Sequence, residues 1–287
     1  TYVPSPLTIY NGIHEVPSGT ILTLARSSEP HIVRYWELPG AVRTEAVSFD
    51  EAVEAVDNIL NQSVEWRLRA DVPVGVFLSG GIDSGLLTAM AAGQSAHPVS
   101  TFTVGFEGAS GFDETGLAQQ VANRYGTSHS VVPLKPDLND LLPKVVAAYD
   151  EPFGDPSAVP TFAVSQAAAR TMKVVLNGEG ADELFGGYRR HMASRYGAIL
   201  SPALGLLPRK AWKSIWKMIP TPKGFRTPYA FAYRFLRGFT EAPSTRYLKW
   251  TSDTFTDEDK SGQMAFSGSP QPTGLMLDHM MSGFEGL

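Results

Sequence analysis

The apolar positions change their period several times along the chain, and each change predicts an element. Thr20-Ile21-Leu22-Thr23-Leu24 and His31-Ile32-Val33-Arg34-Tyr35-Trp36 are short β-branched and apolar runs, with Pro17-Ser18-Gly19 as the turn before the first, and they predict a β-hairpin belonging to something larger. After Pro39-Gly40 the spacing becomes helical: Ala52, Val53, Val56, Ile59, Leu60, Val64 and Leu68 recur at three- and four-residue intervals to about Arg69. Ser48 and Glu51, three residues apart, give this helix the pattern of a capping box.

From there strands and helices alternate. Residues 72–78 are a continuous apolar run suited to a buried strand; 85–92 read as helix, 99–106 as strand, 114–125 as helix and 130–134 as strand. Helices over 138–149 and 161–171 precede a last strand at 173–176. This alternation predicts an α/β fold, a parallel sheet with helices on both faces. In such sheets ligands sit beyond the C-terminal ends of the strands. From about Arg189 onward the pattern is helical and irregular. There Trp212, Ile215, Trp216 and Ile219 share one helix face and read as packing residues, while Arg209, Lys210, Lys213 and Lys217 read as a solvated face.

Composition narrows the function classes. A chain of 287 residues allows one large domain, or one domain with appendages, at roughly 100–200 residues each. Hydrophobic residues at 43% and charged residues at 18% suit a globular core. A net charge of −5 argues against a broad nucleic-acid surface and so against a nucleic-acid partner. It leaves room for a small anion site, because backbone N–H groups and a metal hold phosphates without a basic protein. With no cysteine there is no disulfide, thiolate zinc site or cysteine nucleophile. No stretch approaches the roughly 18 apolar residues of a membrane span, so no membrane partner is expected, and a cytoplasmic setting fits.

Two loops carry the chemistry. Ser79-Gly80-Gly81-Ile82-Asp83-Ser84 follows the apolar strand Val74-Gly75-Val76-Phe77-Leu78 and precedes a helix. The two glycines let the backbone turn and approach an anion, Ser79 and Ser84 add hydroxyls, and the helix start favours a phosphate. Asp83 makes sense beside an anion once Mg²⁺ lies between them. On composition alone the hexapeptide is either such a site or a Gly-Gly turn with Asp83 and Ser84 as capping residues. It is not a Walker A loop, having no Gly-Lys-Ser/Thr. The second loop, Asn177-Gly178-Glu179-Gly180-Ala181-Asp182-Glu183-Leu184-Phe185-Gly186-Gly187-Tyr188, leaves the strand ending at Leu176 on the same sheet edge. Gathering carboxylates at Glu179, Asp182 and Glu183 suits a cation or a base. The alternative is an acidic helix N-terminus complementing the helix dipole.

The Ser-Gly-Gly-x-Asp-Ser loop resembles that of the ATP pyrophosphatases, the adenine nucleotide alpha hydrolase-like PP-loop fold, which cleave ATP between the α- and β-phosphates. Paired with the acidic loop, it resembles the asparagine synthetase family, glutamine-dependent amidotransferases that make asparagine from aspartate with ATP. Gly111-Phe112-Asp113-Glu114, Gly126-Thr127-Ser128-His129 and Asp150-Glu151-Pro152-Phe153-Gly154-Asp155-Pro156-Ser157 resemble family stretches. Tyr2-Val3-Pro4 through Tyr35-Trp36, with Gly12-Ile13 inside, resembles the end of the family's glutaminase domain. Residues 1–40 are therefore expected to be the tail of that domain, and 41–287 a synthetase domain truncated at its C-terminus.

The resemblance implies an acyl-AMP formed from a carboxylate, aspartate first among them, which ammonia derived from glutamine attacks. It implies ATP and Mg²⁺ as cofactors, the glutaminase domain as a partner within the parent chain, and a homodimer. Leu78, Val104, Asn177 and Gly178 would serve the nucleotide, with main-chain atoms of Val104 reading the base. Ser79, Gly80, Gly81, Asp83 and Ser84 would bind pyrophosphate, Asp83 and Asp182 would ligate Mg²⁺, and Glu179 would take a proton from ammonia. The family's cysteine nucleophile has no counterpart here, so glutamine hydrolysis is not expected of this chain. The family's later helical segment, with a lysine for the adenylate or pyrophosphate, is also missing. The Asp-Glu-Pro-Phe stretch resembles a type whose members include carbohydrate- and antibiotic-pathway relatives, so the resemblance implies that the acceptor need not be aspartate. A catalytically inactive ATP-binding fragment and an ATP pyrophosphatase that modifies tRNA or makes GMP are further readings; the acidic loop argues against the latter.

Overall fold

The computed structural model describes residues 3–26, 28–39, 47–106, 113–134, 138–151, 153–204, 206–222, 227–241, 246, 247, 250 and 251. Tyr2, Gly40, Gly111, Phe112 and Pro152, named above, lie outside the described residues, as do residues from 252 onward. The chain divides into two compact units, Thr1–Glu179 and Gly180–Leu287.

The first unit opens with the expected hairpin. β1 (Thr20–Thr23) and β2 (His31–Arg34) pair antiparallel, Ile21 opposite Val33 and Leu22 opposite Ile32. Apolar side chains on both faces of this ribbon are exposed, among them Ile21, Ile32 and Trp36. α1 (Phe49–Leu68) begins with the capping box read from sequence: the Ser48 hydroxyl accepts from Glu51 N–H at 3.3 Å, and Glu51 Oε2 accepts from Ser48 N–H at 2.8 Å.

The sheet contains β3 (Val74–Phe77), β4 (Ser100–Phe106), β5 (Ser128–Leu134) and β6 (Val174–Leu176), all parallel, in the order β5-β4-β3-β6. α2 (Ile82–Gln94) and α3 (Thr115–Tyr125) connect the first three strands, and α4 (Leu138–Tyr149) and α5 (Ala158–Ala168) lead back to β6. Both faces are covered, as the two-residue period of β3 demonstrates. Val76 packs with Val64 of α1 and Met90 and Ala91 of α2. Its neighbour Phe77 packs with Phe102 of β4 and Val164 and Ala168 of α5. Pro133 is tolerated in β5 because that strand lies at the sheet edge.

The topology places the site. From β3 the chain winds outward through β4 to β5, then returns to lay β6 on the other side of β3. The order therefore reverses between β3 and β6, and the loops leaving their C-terminal ends border one crevice.

Two boundaries differ from the sequence reading for physical reasons. α2 starts at Ile82 rather than at residue 85, so Asp83 and Ser84 lie inside its first turn. α5 starts at Ala158 and includes Pro160, which a first turn accepts because its missing N–H has no intrahelical partner there.

The second unit is helical, as expected: α6 (Ala181–Phe185), α7 (Arg189–Leu204), α8 (Arg209–Met218), α9 (Pro228–Arg237) and a 3-10 turn at Gly238–Thr240. Its packing is aromatic. Trp212 is buried, lies 6.2 Å from the Phe239 ring and donates its indole N–H to Leu204 O at 2.9 Å; Trp216 packs on Tyr233 at 4.2 Å. Lys210, Lys213 and Lys217 are exposed on the same helix, and the Arg209 side chain lies outside the described residues. No helix among the described residues is long and apolar enough to cross a membrane.

Val76 is fully buried between the sheet and two helices. Val76→Ala is expected to lower unfolding stability by about 2 kcal/mol, from two lost methyls and a residual cavity. Urea denaturation of the purified chain checks it.

Candidate functional site

The phosphate loop is anchored from below before it offers anything outward. Leu78 is buried against Ala118 and Ala122 of α3. Its N–H donates to Phe102 O at 2.9 Å, and its carbonyl accepts from the Thr103 hydroxyl. Leu78, expected at the nucleotide, thus has its side chain in the core and its main chain bonded to β4, and it holds the root of the loop.

Above it, three successive N–H groups each hold an oxygen. Ser79 N–H donates to Ser84 Oγ at 3.0 Å, Gly80 N–H to Glu114 Oε2 at 3.1 Å, and Gly81 N–H to Ser79 Oγ at 3.1 Å. The two serine hydroxyls lie 2.8 Å apart, and Ser84 is buried. Both serines therefore shape the loop from within. Gly80 and Gly81 are needed for space rather than for handedness, since neither has positive φ. A Cβ on Gly80 would stand 3.0 Å from Leu117 Cβ and 3.1 Å from Glu114 Cβ, and one on Gly81 3.1 Å from Ser79 Oγ.

The second loop comes close. A Cβ on Gly178 would lie 3.1 Å from Asp83 Cβ and 3.1 Å from Ser84 N, so the strand-β6 loop presses against the first turn of α2 and a side chain there would require a shift. The exposed carboxylate of Glu179 follows immediately, held by the Asn177 amide at 3.3 Å, while Glu179 N–H reaches Asn177 Oδ1 at 3.4 Å. Asp83 is exposed in the first helical turn, where the helix dipole favours an anion. At Val104 the main chain is the available group. β3 pairs with β4 as far as Phe102, whose carbonyl faces β3. By the strand period, Val104 turns its own N–H and C=O to the same edge, past the end of β3.

In the second unit, α6 is bracketed by left-handed glycines at 180 and 186. The Asp182 carboxylate folds back over Gly187, where a Cβ would collide with Oδ1. Glu183 goes elsewhere: it accepts from the Tyr188 hydroxyl at 2.6 Å, and the Arg190 guanidinium lies over the Tyr188 ring at 3.6 Å. That hydrogen bond, chiefly, holds the Glu183 carboxyl below its usual range, with Arg190 and His191 acting in the same direction. The three carboxylates of the acidic loop are thus drawn to three different partners. Among the described residues no group of three or more His, Cys, Asp or Glu side chains is gathered as for a metal.

Donors, glycines and carboxylate fit a phosphate ligand. The Glu114 carboxylate on Gly80 N–H shows that the loop accepts an anionic oxygen. Magnesium, if bound, uses one or two carboxylates plus phosphate and water oxygens, and Asp83 is placed to be one. Glu114 is the site residue that sequence reading did not assign. Its signal was an acidic residue opening the helix that follows β4, on the same sheet edge as the phosphate loop.

Residues 55–266 match the asparagine synthase family. The chain belongs to that family. A putative asparagine synthetase [glutamine-hydrolyzing] of Mycobacterium tuberculosis is 38% identical over 229 residues, 78% of this chain and 34% of its own length. Asparagine synthetase [glutamine-hydrolyzing] 1 of Bacillus subtilis is 38% identical over 191 residues, 65% of this chain and 29% of its own. Another relative, amidase chyE of Penicillium rubens, is 33% identical over 198 residues, 63% of this chain and 30% of its own. The chain spans about a third of the length of the curated relatives it matches. The solved NH3-dependent NAD synthetase of Campylobacter jejuni aligns with 75% of this chain and 99% of its own at a TM-score of 0.33 and 11% identity, a likeness too slight to decide anything.

Gly178→Ala is expected to push the two loops apart, accelerating amide hydrogen exchange across Ser79–Ser84 while β4 and β5 stay protected; equal exchange in both proteins would contradict the close packing. Tyr188→Phe should raise the Glu183 pKa toward its usual value, read by NMR titration. Because the folded value is the lowered one, this hydrogen bond stabilises the fold above the usual carboxylate pKa. That contribution is lost as pH falls through the lowered value.

Proposed function

We propose that this chain is the ATP-using synthetase part of an asparagine synthetase-like enzyme. It would activate a carboxylate, aspartate in the first instance, as an acyl-adenylate that ammonia converts to the amide, giving asparagine, AMP and pyrophosphate. The observation that carries the reading is the row of three N–H donors at Ser79, Gly80 and Gly81, each holding an oxygen, at the point where the strand order reverses.

In this reading a carboxylate oxygen of the acid attacks the α-phosphorus of ATP and the bond to the bridging oxygen breaks. The loop donors take up the charge developing on the departing pyrophosphate, the kind of preorganised stabilisation that accelerates such steps most. Asp83 would hold Mg²⁺, which would supply charge neutralisation at the phosphates. Val104 offers main-chain groups for the base, and Asn177 and Gly178 line the nucleotide side. Ammonia then attacks the acyl carbon, AMP leaves, and the Glu179 carboxylate, oriented by Asn177, accepts the proton released from nitrogen.

Residues 1–40 are assigned to the tail of a glutaminase-like domain that delivers ammonia, and 41–287 to the synthetase domain. Support comes from the hairpin: a two-stranded ribbon is marginal alone, and this one exposes apolar residues on both faces. A homodimer and a cytoplasmic setting belong to the same proposal. The Asp150-Glu151-Pro152-Phe153 stretch, of a type whose acceptor need not be aspartate, favours a second reading, the same adenylation chemistry on a different acid.

Exchange of labelled pyrophosphate into ATP, run over a panel of carboxylic acids, tests both. Aspartate-dependent exchange is expected, with Asp83→Ala lowering it by about 10²-fold or more while the melting curve is retained. Exchange supported by another acid and not by aspartate would transfer the assignment to the second reading. Full exchange in Asp83→Ala would remove the metal-site argument.

A further inference from the structure

The Gly80 N–H is held by a carboxylate that comes from 34 residues away in sequence and from a different helix. Glu114 opens α3, and its backbone is fixed there: Leu117 and Ala118 donate their N–H groups to its carbonyl at 3.1 and 3.0 Å. The neighbouring acid is spent locally. Asp113 accepts from the N–H of Thr115 at 3.1 Å, and the Thr115 side chain and N–H hold its carboxyl below the usual range. Of this acidic pair only Glu114 turns to the phosphate loop, and the absence of a Cβ at Gly80 is what admits it.

An N–H group has one hydrogen to give, so a phosphoryl oxygen at Gly80 and the Glu114 carboxylate compete for it. The two are also like charges. The loop's other internal acceptors, the Ser79 and Ser84 hydroxyls, are neutral and do not repel a phosphate. We propose that Glu114 is a positioning residue that sets how tightly the loop holds pyrophosphate: its side-chain oxygen holds Gly80 N–H in line, while its charge opposes the same anion the loop binds, favouring release of the product. This rests on the pyrophosphate reading above. Glu114 is exposed, so its side chain can swing away without moving α3, and the α3 N-terminus favours its negative charge nearby.

The test compares the protein with Glu114→Gln, which keeps a side-chain oxygen of the same reach without the charge, and Glu114→Ala, which removes both. Binding of inorganic pyrophosphate with magnesium is measured by calorimetry at low and high salt. Glu114→Gln is expected to bind roughly three- to tenfold tighter at low salt, the scale of one unit charge a few ångströms away in a water-like dielectric, as suits an exposed side chain. The gain should shrink at high salt, where exposed charges are screened. Hydrogen exchange at Gly80 should be faster in Glu114→Ala and little changed in Glu114→Gln, separating the hold on the loop from the repulsion. Equal or weaker binding by Glu114→Gln, or a gain indifferent to salt, overturns the proposal while leaving the pyrophosphate site standing. No pyrophosphate binding by any of the three proteins would bring down the site reading itself.

Discussion

The main chain at Gly178 lies against Asp83 and Ser84 with no room for a side chain, and the site depends on that contact. It joins the ends of β3 and β6, strands that are neighbours in the sheet yet separated in sequence by β4, β5 and four helices. The approach brings Glu179, which follows Gly178, to the sheet edge that carries the Ser79–Gly81 loop. Parallel pairing of β3 with both β4 and β6 makes it obligatory, because it aligns the C-terminal ends of all three strands.

The loop itself is built on small neutral groups. Two serine hydroxyls, one buried carbonyl and the Thr103 hydroxyl define its path, and its donors come from the backbone. Charge enters only from outside the turn, from Asp83 in the following helix and Glu114 at the start of α3. Neutral bonds hold the Ser79 and Gly81 donors, and only Gly80 N–H meets a charged acceptor.

Much of this was legible in the sequence. The capping box at Ser48 and Glu51, the apolar runs that became β3 and β4, and the helical spacing of α1 and α3 are local patterns, and the structure follows them closely. The match to the asparagine synthase family agrees with the resemblance carried by the Ser-Gly-Gly-x-Asp-Ser and acidic loops. What escaped was set by distance. The reach of Glu114 to Gly80 and the inward turn of Ser84 depend on how α3 and α2 pack on the sheet, which no residue spacing encodes. The acidic loop read as one cluster of repelling carboxylates. Within it Glu179 is bonded by the Asn177 amide and Glu183 by the Tyr188 hydroxyl, while Asp182 lies over Gly187.

In the proposed site the grip on phosphate would be made by peptide N–H groups, and every amino acid except proline supplies one. Mutation therefore cannot delete those donors as it deletes a lysine or an arginine; it can only crowd them or bend the strand beneath. The hereditary burden of this site falls on what must stay small, at Gly80, Gly81 and Gly178. The surrounding side chains are left free to diverge with whatever acid a descendant comes to use.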